Sequence, residues 1–436
     1  MKEAINRSIL KLAIPNILTN LTVPLLGLVD LALMGHQGSE TYIGALAVGT
    51  MIFSLLYSGL MFLRMGTTGF TAQSFGAGRF REAINWLGRG VTLSLLLGIF
   101  LIALQFPLEK LIFWLIDGSS SVENLAAEYF RVRIWAAPAS LGVFVFSGWF
   151  LGMQNARIPL IIALVINVLN IVLSVFFVYE SGLGVRGVAL GTVLAQYGGL
   201  LVAMAFLLTR YRRLLRMLRL NQVFNAASLK HYLSVNSDIL IRSVLITGTF
   251  FYFNAVSAGM GDMVLSVNSV LLQFLWVFSY FIDGFAFAAE SLTGKFIGSR
   301  NRSSLLLLIR KLVIWGAILS VMCALINLTL GRYFIGMLTD QTSVIAAIRP
   351  YFFWVVLLPL AGFLAFLWDG IYIGSTATAS MRNMMLISVL LVFVPARFIF
   401  VPLWQNHGLW LSLILFLISR GVLLWLVHRK SVMGKI

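Results

Sequence analysis

Twelve apolar stretches, each long enough to cross a bilayer, leave this chain very few folds to choose from. A spanning helix needs roughly 20 mainly apolar residues, and a helix bonds all of its own backbone polar groups. Hydropathy places such stretches at about 9–34, 42–65, 84–106, 127–151, 157–179, 184–209, 236–260, 264–290, 304–328, 350–374, 382–404 and 408–428. An all-α polytopic membrane protein of twelve transmembrane helices is therefore predicted. Composition agrees: 11% of residues are charged and the mean hydropathy is +0.96, against roughly a quarter charged in soluble domains. The first stretch follows Lys2, Arg7 and Lys11 and is too long for a cleaved leader, so it reads as a retained span.

The formal charge of +17 follows membrane orientation. Lys and Arg gather before the first span, at Arg79, Arg81 and Arg89, at Arg157, in the run Arg210 to Arg219, at Lys295, Arg300 and Arg302, at Arg382, and in the tail. Alternate loops hold fewer, with Lys110, Arg131, Arg133, Arg186, Arg332 and Arg349 as the main exceptions. This positive-inside pattern predicts both termini in the cytoplasm, in the inner membrane of a bacterium. A nucleic-acid footprint would instead sit on one soluble face, so no nucleic-acid partner is expected. The single cysteine, Cys323, excludes an intrachain disulfide, and the four histidines lack metal-ligand spacing. No cofactor is expected.

The chain also repeats itself. Thr71-Ala72-Gln73-Ser74-Phe75-Gly76 matches Thr293-Gly294-Lys295-Phe296-Ile297-Gly298, and Gly148-Trp149-Phe150-Leu151-Gly152 matches Gly370-Ile371-Tyr372-Ile373-Gly374, both at an offset of 222 residues. A shared offset implies duplication. Six spans per half is an even number, so both halves insert in one orientation. The expected architecture is two pseudo-symmetric six-helix bundles around a central cleft: an N-lobe over 1–215, a basic cytoplasmic linker over 216–235 and a C-lobe over 236–436. Segment 66–83 is too polar and glycine-rich to be all membrane helix, and 107–120 reads as a short amphipathic helix at the outer interface.

Polar residues inside the spans mark candidate sites, because a charge at the bilayer centre costs about 2.5–3.5 kcal/mol and usually faces a cavity or a partner. In the first span Asn16, Asn20, Gly27 and Asp30 share one stripe at helical periodicity. The bland reading of Asp30 is a hydrogen bond that staples two helices. The fifth span carries Asn167, Asn170 and Ser174 on one face, and the sixth carries Thr192 and Gln196 one turn apart among Gly184, Gly187, Gly191, Gly198 and Gly199. Alone, such residues serve as interhelical glue. With Asp30 they would make one N-lobe site, a carboxylate among neutral oxygens, suited to a proton or Na⁺. In the second half Asp238 and Arg242, spaced i, i+4, are expected to pair. Asp283, Glu290 and Asp369 are candidates for the C-lobe face of the cavity. The tentative cavity set is Asn16, Asn20, Asn167, Gln196, Asp283 and Asp369.

The stretches IPNILTNLTVPLLGLVDLALMGH (14–36), FLRMGTTGFTAQSFGAG (62–78), NVLNIVLSVFFVY (167–179), GVRGVALGTVLAQY (184–197), SYFIDGFAFAAES (279–291) and LWDGIYIG (367–374) resemble the multidrug and toxic compound extrusion (MATE) family, in its bacterial DNA-damage-inducible F branch. The resemblance implies a V-shaped cleft and export of organic compounds driven by inward H⁺ or Na⁺. It places the family's first-helix aspartate on Asp30, its fifth-helix asparagine on Asn170, its sixth-helix threonine on Thr192 and its first-helix proline, where that helix can bend, on Pro15. The family's usual aspartate four residues after Asn170 is here Ser174. Asp30 is then the one carboxylate of the cation-coupling set Asp30, Asn170, Ser174 and Thr192.

The expected function is a secondary active antiporter, not an enzyme, that exports organic, often cationic or amphipathic, compounds in exchange for H⁺. Na⁺ at Asp30, Asn170 and Thr192 is the second choice of ion. Expected partners are small organic molecules, the coupling ion and membrane lipids, with the protein a monomer. The alternative is a flippase for a lipid-linked precursor, which would want a cationic cavity; Arg242, Arg397 and Arg420 are the clearest intramembrane arginines of the second half and do not cluster in sequence.

Overall fold

The computed structural model describes residues 2–36, 39–115 and 119–436, and no strand occurs among them. The first half holds α1 (Lys2–Gly35), α2 (Glu40–Leu60), α3 (Phe62–Gly76), α4 (Phe80–Ala103), α5 (Gln105–Leu115), α6 (Ser120–Arg133), α7 (Ala137–Gly152), α8 (Arg157–Val175) and α9 (Gly184–Arg210), followed by two short turns, α10 (Arg212–Leu215) and α11 (Leu220–Val223). The second half holds α12 (Ala226–Gly259), α13 (Asp262–Gly298), α14 (Arg302–Leu338), α15 (Thr342–Ile348), α16 (Phe352–Gly374), α17 (Thr378–Ile387) and α18 (Val394–Ser431). Among the described residues, eleven helical stretches are long and apolar enough to cross a membrane. The last of these, Thr378–Lys435, breaks at Gln405 (φ 48°, ψ −122°), three residues after Pro402. The break divides it into two spans, giving twelve.

The polar segment 66–83 is helical as far as Gly76, because α3 continues α2 after Met61 and buries Thr67, Thr68, Thr71 and Ser74 against protein. The amphipathic helix expected at 107–120 is α5, which ends at Leu115; residues 116–118 of that stretch lie outside the described residues. Residues 216–235 do not stand apart as a bare linker. They form α11 and the first turns of α12, and Asn85 of α4 bonds the Gln222 side chain at 2.8 Å.

Packing divides the chain into two compact units, one of Leu18–Asn236 and one of Met1–Ile17 with Ser237–Ile436. The first seventeen residues thus pack with the second half. Within the second unit, a Cβ on Gly284 of α13 would meet Ala13 and Ile17 of α1, and the Trp315 indole reaches Asn6. Within the first unit, Tyr232 at the start of α12 shares a 2.8 Å hydrogen bond with Thr67.

Each unit is built around one mainly apolar helix that is largely buried, α7 in the first and α16 in the second. Nearly all of α7 is buried. Small residues let backbones meet there. A Cβ on Gly148 would run into the Arg64 carbonyl of α3, and one on Gly370 into the Ala286 carbonyl of α13. Gly152 and Gly374 make the same approaches to Thr68 and Glu290. Every one of these pairs recurs 222 residues on. So do the left-handed turn residues, Gly78 (φ 69°) with Arg300 (φ 52°) and Gln154 (φ 63°) with Thr376 (φ 52°). The duplication read from two short sequence matches therefore extends to the backbone.

Gly370→Ala should lower the thermal unfolding temperature in detergent, by an amount equivalent to about 1–3 kcal/mol, since the backbones of α13 and α16 must move apart. Gly248→Ala, whose methyl meets nothing within 4 Å, should leave it unchanged or slightly raised.

Candidate functional site

In the first unit α8 and α9 cross closely because glycines line α9. A Cβ on Gly191 would lie 2.5 Å from the Ser174 hydroxyl oxygen, and one on Gly199 would meet Ile166. This approach brings the fifth- and sixth-span polar residues together. Asn170 Nδ2 donates to the Thr192 hydroxyl at 2.9 Å, Thr192 donates to its own Val188 carbonyl at 3.0 Å, and the Ser174 hydroxyl lies 3.5 Å from Asn170 Oδ1. All three are buried. Sequence periodicity had placed these groups on facing stripes, and the structure joins them in one network.

Asp30 belongs to the same unit but not to that hydrogen-bonded set. Its Oδ1 is buried and accepts no hydrogen bond. The groups that act on it electrostatically are Arg133 and Tyr129. Arg133 donates to the Tyr129 hydroxyl and lies 4.8 Å over the Phe53 ring. An apolar cluster that includes Leu33, Met34, Phe53, Tyr129, Phe130 and Val188 packs within this unit. The register of α1 against α8 is set where Asn167 Nδ2 reaches the Thr22 carbonyl at 3.5 Å. Asp30 lies eight residues after Thr22 on α1, about 12 Å further along at 1.5 Å per residue.

Arg133, which acts on Asp30, is a residue that loop charge counting does not single out. It is one of the exceptions to the charge alternation, yet it falls inside the expected span 127–151, where a charge is as costly as at Asp30.

The second unit contains a different arrangement. Asp238 and Arg242 do not pair, because the i, i+4 spacing is overridden by partners on other helices. Arg382 bonds Asp238 Oδ1 at 2.5 Å and Thr378 bonds its Oδ2 at 2.9 Å. Arg242 and Arg420 both donate to Oδ2 of Asp369, Arg420 at 2.7 Å. Asp369 and Arg420 are 4% and 3% exposed, so this is a buried triad rather than an open wall. Asp283, half-buried on α13, also acts on Arg420. Two carboxylates thus balance two guanidiniums.

The tentative cavity residues divide between the units. Asn16 is buried with its amide on its own Leu12 carbonyl at 2.8 Å, in the unit of Asp283 and Asp369. Asn20, Asn167 and Gln196 are half-buried in the other. Pro15 lies within an unbroken helix, two residues before α1 passes from one unit to the other.

A family model described as MatE matches twice, over residues 15–176 and 239–399, once in each half of the duplication. The chain belongs to the MatE family. It is similar to DNA damage-inducible protein F of Escherichia coli K12, 35% identical over 98% of this chain and 92% of that one. It is also similar to the probable multidrug resistance protein NorM of Thermotoga maritima, 24% identical over 96% and 91% of the two chains. In fold it matches the Vibrio cholerae MATE transporter VcmN in the bent form, with a TM-score of 0.87 at 16% identity, covering 100% of this chain and 98% of that one. The twelve-helix MATE architecture is thus shown, and the chain is a membrane transporter of that family. A flippase finds no support among these comparisons. Of the three arginines named for it, Arg242 and Arg420 do converge in space, but on the carboxylate of Asp369.

Asp369→Asn should destabilise the protein strongly, by about 3–5 kcal/mol, because it takes from the buried Arg420 and the half-buried Arg242 the carboxylate that both of them bond. Asp283→Asn should cost clearly less. Thermal unfolding of the purified variants in one detergent checks the order.

Proposed function

We propose that this MATE-family protein is a multidrug exporter that moves organic, often cationic or amphipathic, molecules outward in exchange for inward H⁺, with Asp30 taking the proton. The observation that carries the reading is the buried, unpartnered Oδ1 of Asp30. A carboxylate oxygen held out of water in an apolar end of the bundle is a costly arrangement, and it persists where the group binds something. One carboxylate needs one proton to become neutral. A Na⁺ ion would want several hard oxygens, of which Asn170, Ser174 and Thr192 offer neutral ones.

The switch follows from electrostatics. Ionised Asp30 is attracted by Arg133 across the Tyr129 hydroxyl; the protonated form loses that attraction and becomes a donor able to engage the Asn170–Ser174–Thr192 network beside it. Pro15 and Pro24 each remove a backbone hydrogen bond from α1 and lower the cost of bending it. Pro15 stands next to the point where α1 changes units, the place for a hinge. A proton moving through 100 mV releases about 2.3 kcal/mol, which biases a two-state switch by roughly fiftyfold. The positive-inside distribution of Lys and Arg supports cytoplasmic termini in a bacterial inner membrane. The resulting direction is proton entry from outside and substrate exit to the outside.

Substrate efflux from proteoliposomes, wild type against Asp30→Asn, should occur in the wild type under a pH gradient alone and fall at least about tenfold in the variant, the loss of one essential charge. Activity under a Na⁺ gradient alone would move the coupling to sodium, and a variant as active as wild type would remove Asp30 from the mechanism.

A further inference from the structure

The first unit holds a cavity of about 670 Å³ that neither the coupling site nor the transport path accounts for. It lies between the start of α4, a basic stretch that the charge alternation explains only as topology, and the polar segment 217–228. We propose that this cavity is a binding site for a phosphate-bearing anion.

Three arginines line it, Arg79, Arg81 and Arg89, against one carboxylate, Glu82, which Arg79 already holds at 3.1 Å. Arg89 is the decisive one. It is 4% exposed, its Nε donates to the Val223 carbonyl at 3.1 Å and another of its nitrogens donates to the Gln222 carbonyl, and Trp86 covers one face of the guanidinium 4.2 Å from its ring centroid. Its remaining nitrogen, Nη1, is buried with no hydrogen-bond partner. A buried charged donor without an acceptor is costly, and an anionic oxygen is the acceptor that would satisfy it best.

The backbone adds to this. Two long helices begin at the cavity. No side chain caps α4 at Arg79, and α12 starts beside Asn225, whose side-chain oxygen accepts from the Ser228 amide at 3.1 Å. Helix N-termini present free N–H groups and the positive end of the helix dipole, the usual backbone partners of phosphate. Arginine forks match phosphoryl oxygens two at a time. The volume exceeds that of a bare phosphate and leaves room for an organic remainder. A lipid headgroup and a soluble phosphate ester share the chemistry.

The test uses the full-length protein in nanodiscs. In phosphatidylcholine discs, inorganic phosphate is titrated calorimetrically against chloride at equal ionic strength; in discs containing phosphatidylglycerol, co-retained lipid is counted by native mass spectrometry. Arg81→Gln removes a lining charge from an exposed position. Asn225→Asp adds a negative charge to the cavity while keeping the oxygen that caps α12. Wild type should bind in at least one arm, and both variants should weaken that binding by about tenfold or more, the loss of one charge-assisted contact, with unfolding temperatures equal to wild type. Phosphate binding without lipid retention assigns the site to a soluble ligand, and retention of phosphatidylglycerol without phosphate binding assigns it to the headgroup. No binding in either arm, or binding unchanged in either variant, overturns the proposal.

Discussion

In a hydrocarbon surround, a polar group that loses water must find its partner inside the protein. Nearly everything in this structure follows from how that demand is met. The backbone meets it by being helical. Side chains meet it in pairs and triads: Asn170 with Thr192, Asp238 with Arg382 and Thr378, Asp369 with Arg242 and Arg420. Several buried side-chain atoms are left without such a partner, and two of them carry the proposals above. Asp30 keeps a bare carboxylate oxygen, and Arg89 a bare nitrogen; the first is read here as the proton site and the second as the floor of an anion site.

The partnering also explains why the two halves of one duplicated chain do different things. The shared frame is backbone against backbone, Gly148 on Arg64 and Gly370 on Ala286, and it recurs at the same spacing in both. Side chains set into that frame have diverged. In the second half Asp238 and Asp369 are paired with arginines, a structural use of charge. In the first, Asp30 keeps a buried oxygen that accepts no hydrogen bond, while Asn170, Ser174 and Thr192 bond among themselves.

Much of the fold was legible in advance. Twelve apolar stretches, their even number and the offset of two short matches led to two six-helix lobes. Asn170, Ser174 and Thr192 were legible as a group because helical periodicity puts them on definite faces and the α9 glycines promise close approach. The pairing of Asp238 with Arg242 failed for an equally plain reason: i, i+4 neighbours on a helix are worth only a few tenths of a kcal/mol, and a buried partner on another helix outweighs that. Arg133 escaped notice because counting loop charges treats an arginine near a span end as topology.

The sequence by itself determined that this is a helical membrane protein, how many times it crosses, that it is a duplication, and which residues carry charge where charge is costly. Those facts depend on local composition and spacing, which a linear chain displays. Tertiary structure alone decided which opposite charges neutralise each other, that the first seventeen residues pack with the second half, and that Asp30 faces Arg133 and Tyr129 while its neighbours bond among themselves. Such outcomes depend on distances between segments far apart in sequence, where a few ångströms separate a satisfied ion pair from a site left open.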